Sequence, residues 1–398
     1  MIVRARIVVT MDGPPVANGA VVISGKRIVD AGPFDDIKAA HSGEIVDLGE
    51  QALLPGLINA HCHLDYTCLR GKIPPPKSFA DWIQALNEAK ANLSEDDYLN
   101  SIREGFAEAT KFGTTTIANL TARSELAARM RPLIRTWWFA ELIDVRAPQR
   151  AGPIVDLAVK ALHTEEHWGL APHALYTASA DLYRRCEEIV QRENILLTTH
   201  LAESQEEISM FCDESGPLYD FLKEIGREMS DCGGETPLKK FVGCLGEASL
   251  RSCIVAHLNE LTASDFDLLQ RSNAKFSIVH CPRSHEYFGH SAFQADRLRS
   301  LGFNICLGTD SLASSGDLSL FAEMRQFQKQ FPSISAEKIL EMVTTNPSRA
   351  LGRENALGKI CRGTHADLVA VLFSGGDAFE EIVAFTGKPW VMASGKVV

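Results

Sequence analysis

Most of the chain alternates between short apolar runs and longer amphipathic stretches. Eight apolar runs follow one another: ALLPGLINAH, GTTTIANL, RTWWFAELID, HWGLAPHALY, NILLTTHLAE, CIVAHLNEL, KFSIVHCPRS and NICLGTDSL. Between them lie stretches with helical periodicity, such as DDYLNSIREGFAEATKFG and ASADLYRRCEEIVQREN. Ser94, with Asp97 three positions on, is a capping-type helix start. The segment from Pro217 to Val242 reads as a longer insertion, helix plus loop. Strands alternating with helices in this way predict the α/β class and a parallel (β/α)8 TIM barrel. The two ends have another texture. The first fifty residues, and the chain from about Gly358, carry β-branched runs punctuated by Gly, Pro and Asp. They predict a small β-sandwich domain that both termini build together. The expected division is 1–52 and 355–398 in the small β-domain and 53–354 in the barrel.

In such barrels functional side chains gather at the C-terminal ends of the strands. The first run ends in His61 and His63. The fourth leads to His173. The fifth ends in His200, with Glu203 three residues on. The sixth ends in His257, the seventh in His280, Cys281 and Arg283, and the eighth in Asp310. Any one of these alone reads as a hydrogen-bonded structural residue. Together, on one face of a barrel, they point to a metal site. Residues i and i+2 of a strand point to the same side. His61 and His63 can then reach one ion, while Cys62 points away into packing. His200 and Asp310 complete a nitrogen and oxygen donor set suited to one divalent cation. Zinc is the default and iron the alternative. Such an ion lowers the pKa of a bound water toward neutrality and so makes hydroxide available for attack. Glu203 suits a proton shuttle, and equally a first-turn carboxylate favoured by a helix dipole. His257 could hold an oxyanion or polarise a substituent on the attacked carbon. Asp310 could serve twice, as ligand and as base.

Composition narrows the class. The chain is 45% hydrophobic and 23% charged, which is ordinary for a soluble globular protein. A net charge of -11 argues against a general grip on nucleic acid. No apolar run approaches the roughly 18 residues of a membrane span. The 10 cysteines form no CxxC pair and read as free thiols of a reducing cytoplasm. MIVRARIVVTMDG has a charge inside its apolar run and is too short for a signal peptide's core. A cytoplasmic protein with a small-molecule substrate is expected, with neither nucleic acid nor membrane as partner. A homo-oligomer stays open.

Taken together, LLPGLINAHCHLDYTCLRG, GTTTIAN, GLAPHALYTAS, TTHLAES, AHLNEL, HCPRSHEYFG, LGTDSLASSGDLSLFAEMR, NPSRALG and GKICRGTHADLVAV resemble the amidohydrolase superfamily over essentially the whole chain. The wording is most similar to its aminohydrolase and chlorohydrolase branch, which includes deaminases of methylthioadenosine, S-adenosylhomocysteine, aminofutalosine and guanine. The resemblance implies His61, His63, His200 and Asp310 as metal ligands and Glu203 and His257 as catalytic acid/base and electrostatic groups. It implies that His173 faces substrate. Two-metal members use a modified lysine at the end of strand four; GLAPHA has none, so one metal is expected. The zinc deaminases with a PCxxC motif are excluded, since the chain has no such motif. KSFADWIQAL looks like the lid that touches substrate. There Trp82 could stack on a flat heterocycle or anchor a helix. Arg283 and His285 are further candidate substrate contacts. The expected activity is hydrolytic deamination of an aromatic N-heterocycle, an adenine-type nucleoside or another purine or pyrimidine. Hydrolysis of a cyclic amide or a chlorinated heterocycle at the same site is the alternative. A silent binding homologue is the remote one.

Overall fold

Eight parallel strands form where the apolar runs lie. They are β1 (Leu57–His63), β2 (Thr114–Thr121), β3 (Arg135–Leu142), β4 (Trp168–Pro172), β5 (Leu196–Leu201), β6 (Cys253–His257), β7 (Ser277–His280) and β8, which comes in two pieces, Asn304–Leu307 and Asp310–Ser311. The computed structural model of the chain describes residues 1–272 and 274–398. Neighbours in the sheet are neighbours in sequence, as right-handed strand–helix–strand units require. All residues of β1, β2 and β6 are buried. Strands covered on both faces read as unbroken apolar runs for that reason.

The split in β8 closes the ring. Its first piece pairs with β7 and its second with β1. Across the break, Gly308 N donates to His280 O at 3.0 Å and Thr309 N donates to His61 O at 3.1 Å. A side chain at 308 would meet the His61 carbonyl oxygen at 2.7 Å, so only glycine fits this crossing.

The helices follow their sequence signals. Helix Glu95–Lys111 starts on the predicted capping box of Ser94 and Asp97. Helix Ala180–Glu193 is capped by Ser179. The insertion after β5 contains helices Pro217–Glu224 and Pro237–Cys244 joined by loop. Among the described residues, no helix is long and apolar enough to cross a membrane.

The termini meet in a second sheet of 8 strands. Ile2–Val8, Val16–Ser24, Arg27–Pro33, Ile45–Asp47 and Gln51–Pro55 join Leu368–Leu372, Trp390–Ala393 and Lys396–Val397. One side buries Val3, Val21, Ile28, Leu53, Leu368 and Met392. The run from Leu53 to Ala60 was expected to be one barrel strand from residue 53. Instead it divides at Gly56. Leu53, Leu54 and Pro55 pair with Ala370, Val369 and Leu368 in the terminal sheet, and Leu57 begins β1. A Cβ at 56 would run into the Thr115 side chain, so the chain can change sheets there only through glycine.

Candidate active site

The barrel delivers its polar residues to one end. His61 and His63 leave β1 on the same side, with ring centroids 4.9 Å apart. Cys62 between them is fully buried, its Sγ 3.6 Å from Ala118 O. His200 ends β5. Its Nδ1 lies 2.8 Å from the His173 carbonyl, which can only accept, so Nδ1 carries the proton and Nε2 presents a lone pair. That Nε2 is 3.2 Å from His63 Nε2. Asp310 Oδ1 lies 3.8 Å from the Nε2 atoms of both His61 and His63. Its other oxygen accepts from Ser284 Oγ at 2.6 Å.

These donors fit a cation. Both ring nitrogens of His61 are buried without a partner. Buried polar atoms are normally paired, so an orphaned imidazole is a demand for a ligand. Donor atoms of His61, His63 and His200 all lie within 4.8 Å of one another. Burial pushes His61 and His63 well below the usual imidazole range, and the neighbouring imidazoles push them further. Neutral imidazole is the form that ligates a metal.

Beside this set, Glu203 Oε1 lies 3.5 Å from His257 Nε2. Burial raises the Glu203 carboxyl well above its ordinary range, and Asp310 and Glu207 add to the rise. The Glu203 backbone is pinned from two sides. Glu207 Oε2 accepts from Glu203 N at 2.8 Å, and Asn259 Nδ2 donates to Glu203 O at 3.1 Å. His257 and Asp310 adopt φ of 72° and 56°, a left-handed conformation uncommon outside glycine, which His and Asp enter more readily than most residues.

A cavity of about 440 Å³ opens over the cluster. One wall is helix α1 (Phe79–Ala91), which contributes Phe79, Trp82, Ile83 and Leu86. The next helix after β5 is α2 (Gln205–Asp213), and its Glu206 carboxylate caps α1 by accepting from Phe79 N at 2.6 Å and Ala80 N at 3.1 Å. Helix α3 (Pro217–Glu224), in the insertion, brings Phe221 and Leu222 to the same cavity.

The structure brings together most of the residues singled out in the sequence. His63, His200, Glu203, His257 and Asp310 line the cavity, as do His173 and Trp82. His61 lies directly behind them, its ring 5.0 Å from that of His200. Two candidate substrate contacts are corrected. Arg283 is turned away: its guanidinium donates to Asp317 Oδ1 at 2.6 Å, outside the cavity. His285 Nε2 is bound to Ser291 O at 2.8 Å, and this ring too lies off the cavity wall. Both follow β7 by several residues, and the helix Pro282–Phe288 carries them off the barrel axis. Glu141 was missed. It ends β3, lies 3.6 Å from His63 Nδ1 and lines the cavity. The same strand-end logic, applied to RTWWFAELID, would have found it. Tyr66, also on the wall, stacks on His63 with centroids 5.9 Å apart.

Fold and site together define a barrel enzyme with a metal-type donor set at its mouth. The chain belongs to the amidohydrolase family, whose sequence model matches residues 52–398. A short stretch, 19–41, matches an imidazolonepropionase-like composite domain of bacteria. The 5-methylthioadenosine/S-adenosylhomocysteine deaminase of Syntrophobacter fumaroxidans is 30% identical, over 91% of this chain and 82% of that protein. Aminofutalosine deaminase of Helicobacter pylori, solved with methylthio-coformycin, superposes with a TM-score of 0.88 at 20% identity, covering 100% of this chain and 99% of that one. An adenosine deaminase from Xanthomonas campestris, solved with bound zinc, gives a TM-score of 0.79 at 22% identity, covering 100% and 92%. At these identities the two structures speak to the fold.

Proposed function

We propose that the protein is a metal-dependent aminohydrolase that replaces the exocyclic amine of an aromatic N-heterocycle with oxygen and releases ammonia. An adenine-type nucleoside is the favoured substrate class, in keeping with the relatives' names. The observation that carries this is Glu203: a carboxyl whose pKa burial raises, 3.5 Å from His257, on the cavity that also holds Asp310 and the imidazoles of His63, His173 and His200. Deamination of such a ring needs a proton delivered to a ring nitrogen, a base for the attacking water and a dry pocket.

His61, His63, His200 and Asp310 would hold one divalent cation, zinc by default, with iron suited to the same donors. That cation supplies water activation by lowering the water's pKa toward neutrality. Every other role falls to the chain. Glu203 donates its proton to the ring nitrogen beside the amine-bearing carbon, which makes that carbon electrophilic. Asp310 Oδ1, free of the Ser284 contact, takes the proton released by the attacking water. His257 holds the oxygen as it adds. Asp310 then gives that proton to the amine, which leaves as ammonia, and Glu203 recovers a proton from the added hydroxyl, so both carboxyls end as they began. Trp82 and His173 flank the ring. The 10 free cysteines suit a reducing, cytoplasmic compartment.

Zinc-loaded protein should release ammonia from at least one member of a panel of aminated purines, pyrimidines and their nucleosides. Chloride release or ring opening without ammonia would move the assignment to the chlorohydrolase or cyclic-amide chemistry. No turnover across all three assays would overturn it.

A further inference from the structure

The first turn of α2 does two jobs beside the cavity. Ser204 caps that turn, its Oγ accepting from Glu207 N at 3.2 Å. The two adjacent glutamates of the turn then serve different partners. Glu207 holds the main chain of Glu203. Glu206 reaches to α1, more than a hundred positions back in the chain, and accepts from both Phe79 N and Ala80 N.

Helix α1 needs no such help to form. Ser78 is its own N-cap, accepting from Asp81 N at 3.0 Å, and Asp81 already puts a carboxylate in the first turn. What α1 lacks is a firm seat. Residues 73–78, which lead into it, have no regular structure. Its apolar residues Phe79, Trp82, Ile83 and Leu86 border the cavity, so part of their surface faces space that a ligand fills. Phe288 packs on its edge, with ring centroids 5.5 Å from Phe79 and 5.0 Å from Trp82. Aromatic contacts of that kind let a helix slide. A carboxylate that accepts from two first-turn N–H groups is directional and fixes where the helix sits.

We propose that Glu206 is a positioning residue that locks the wall helix α1 to the turn carrying Glu203, so that wall and acid move as one body and a ring pressed on α1 is brought into register with Glu203. The chemical role of Glu203 rests on the aminohydrolase assignment; the mechanical link does not. A wall that only touched substrate would contribute binding alone. A wall coupled to the acid contributes to kcat as well, because a misplaced proton donor slows the reaction even when substrate is bound.

The test uses the zinc-loaded full-length protein as wild type, Glu206→Ala and Glu206→Gln. Glutamine keeps an acceptor oxygen and drops the charge. Hydrogen exchange read by mass spectrometry follows two segments, 79–86 in α1 and 201–207 around Glu203. In Glu206→Ala both should exchange about tenfold faster or more, as the loss of charge-assisted hydrogen bonds implies. Its kcat for ammonia release should fall about tenfold. Glu206→Gln should lie between wild type and Glu206→Ala on both readouts, and if the alanine variant does not fold, the shift of Glu206→Gln from wild type decides. A wild-type kcat in the variant, or faster exchange at 79–86 with 201–207 unchanged, overturns the proposal. If wild type turns over no aminated ring, the aminohydrolase assignment fails, and the exchange of the two segments decides this proposal by itself.

Discussion

Replacing Arg227 with methionine should loosen the cavity without touching the chemistry. Its guanidinium is 8% exposed and works as a five-way clamp. Nε donates to Tyr176 O at 2.9 Å and Nη2 to Leu175 O at 3.1 Å, so the insertion is tied to the loop that follows His173. Nη1 donates to Glu228 O at 2.7 Å, and Asp231 receives both terminal nitrogens at 2.7 and 2.8 Å. Methionine keeps the aliphatic packing and removes every donor. Each buried carbonyl left without a donor costs about 1 kcal/mol. The pair with Asp231, itself 45% exposed, contributes less than about 1 kcal/mol after solvent screening. A total of about 3 kcal/mol, set against the unfolding entropy of a chain of 398 residues, lowers Tm by about 4 °C. Tyr176 loses its side-chain tie to the insertion, and it lines the cavity together with the insertion's Leu222. If about half of that energy bears on the binding-competent arrangement, KM rises about tenfold while kcat stays near wild type. Scanning fluorimetry and initial-rate kinetics on the best substrate read both numbers. A Tm within about 1 °C of wild type with an unchanged KM would refute the clamp.

Glu203→Gln should cut kcat by about 10²- to 10⁴-fold with metal content unchanged, measured by ammonia release beside elemental analysis. His61→Ala, or a chelator on wild type, should abolish turnover and lower Tm. Added zinc should restore the chelated protein and not the variant. Glu323 gives a pH signature. It is fully buried, and burial raises its carboxyl to about 8 despite the nearby Arg283. A folded pKa above the unfolded one means stability that is fully present below about pH 4.5 and is lost as pH rises through about 8. Glu323→Gln should flatten that decline in urea melts taken across the range, and an unchanged slope would sink the assignment.

The barrel was legible because strands buried on both faces have to be written as apolar runs, and the runs sit at helix-sized intervals. The donor set was legible because a strand end can reach the mouth in only one direction. What failed lies where direction depends on more than the strand. Arg283 and His285 begin a helix, and three or four residues of helix are enough to turn a side chain away. Gly56 looks like any glycine until Thr115 is brought against it by a neighbouring strand. The grip of Arg227 on Leu175 and Tyr176 joins residues some fifty positions apart, and no local pattern announces it.

The two-piece eighth strand has a consequence for how the protein comes to exist. Its seam joins Asn59 to Thr309 across 250 positions, so the ring's last contact is also among the longest-range in the chain. Such contacts form late, because loop closure opposes them until the rest of the ring is in place. His61 and His63 stand on one side of the seam and Asp310 on the other. No open or half-assembled ring can present all four donors, and a cation that needs them selects the closed barrel alone. The metal would then be a rivet across the seam as well as a reagent, and its capture would mark the moment at which folding is finished.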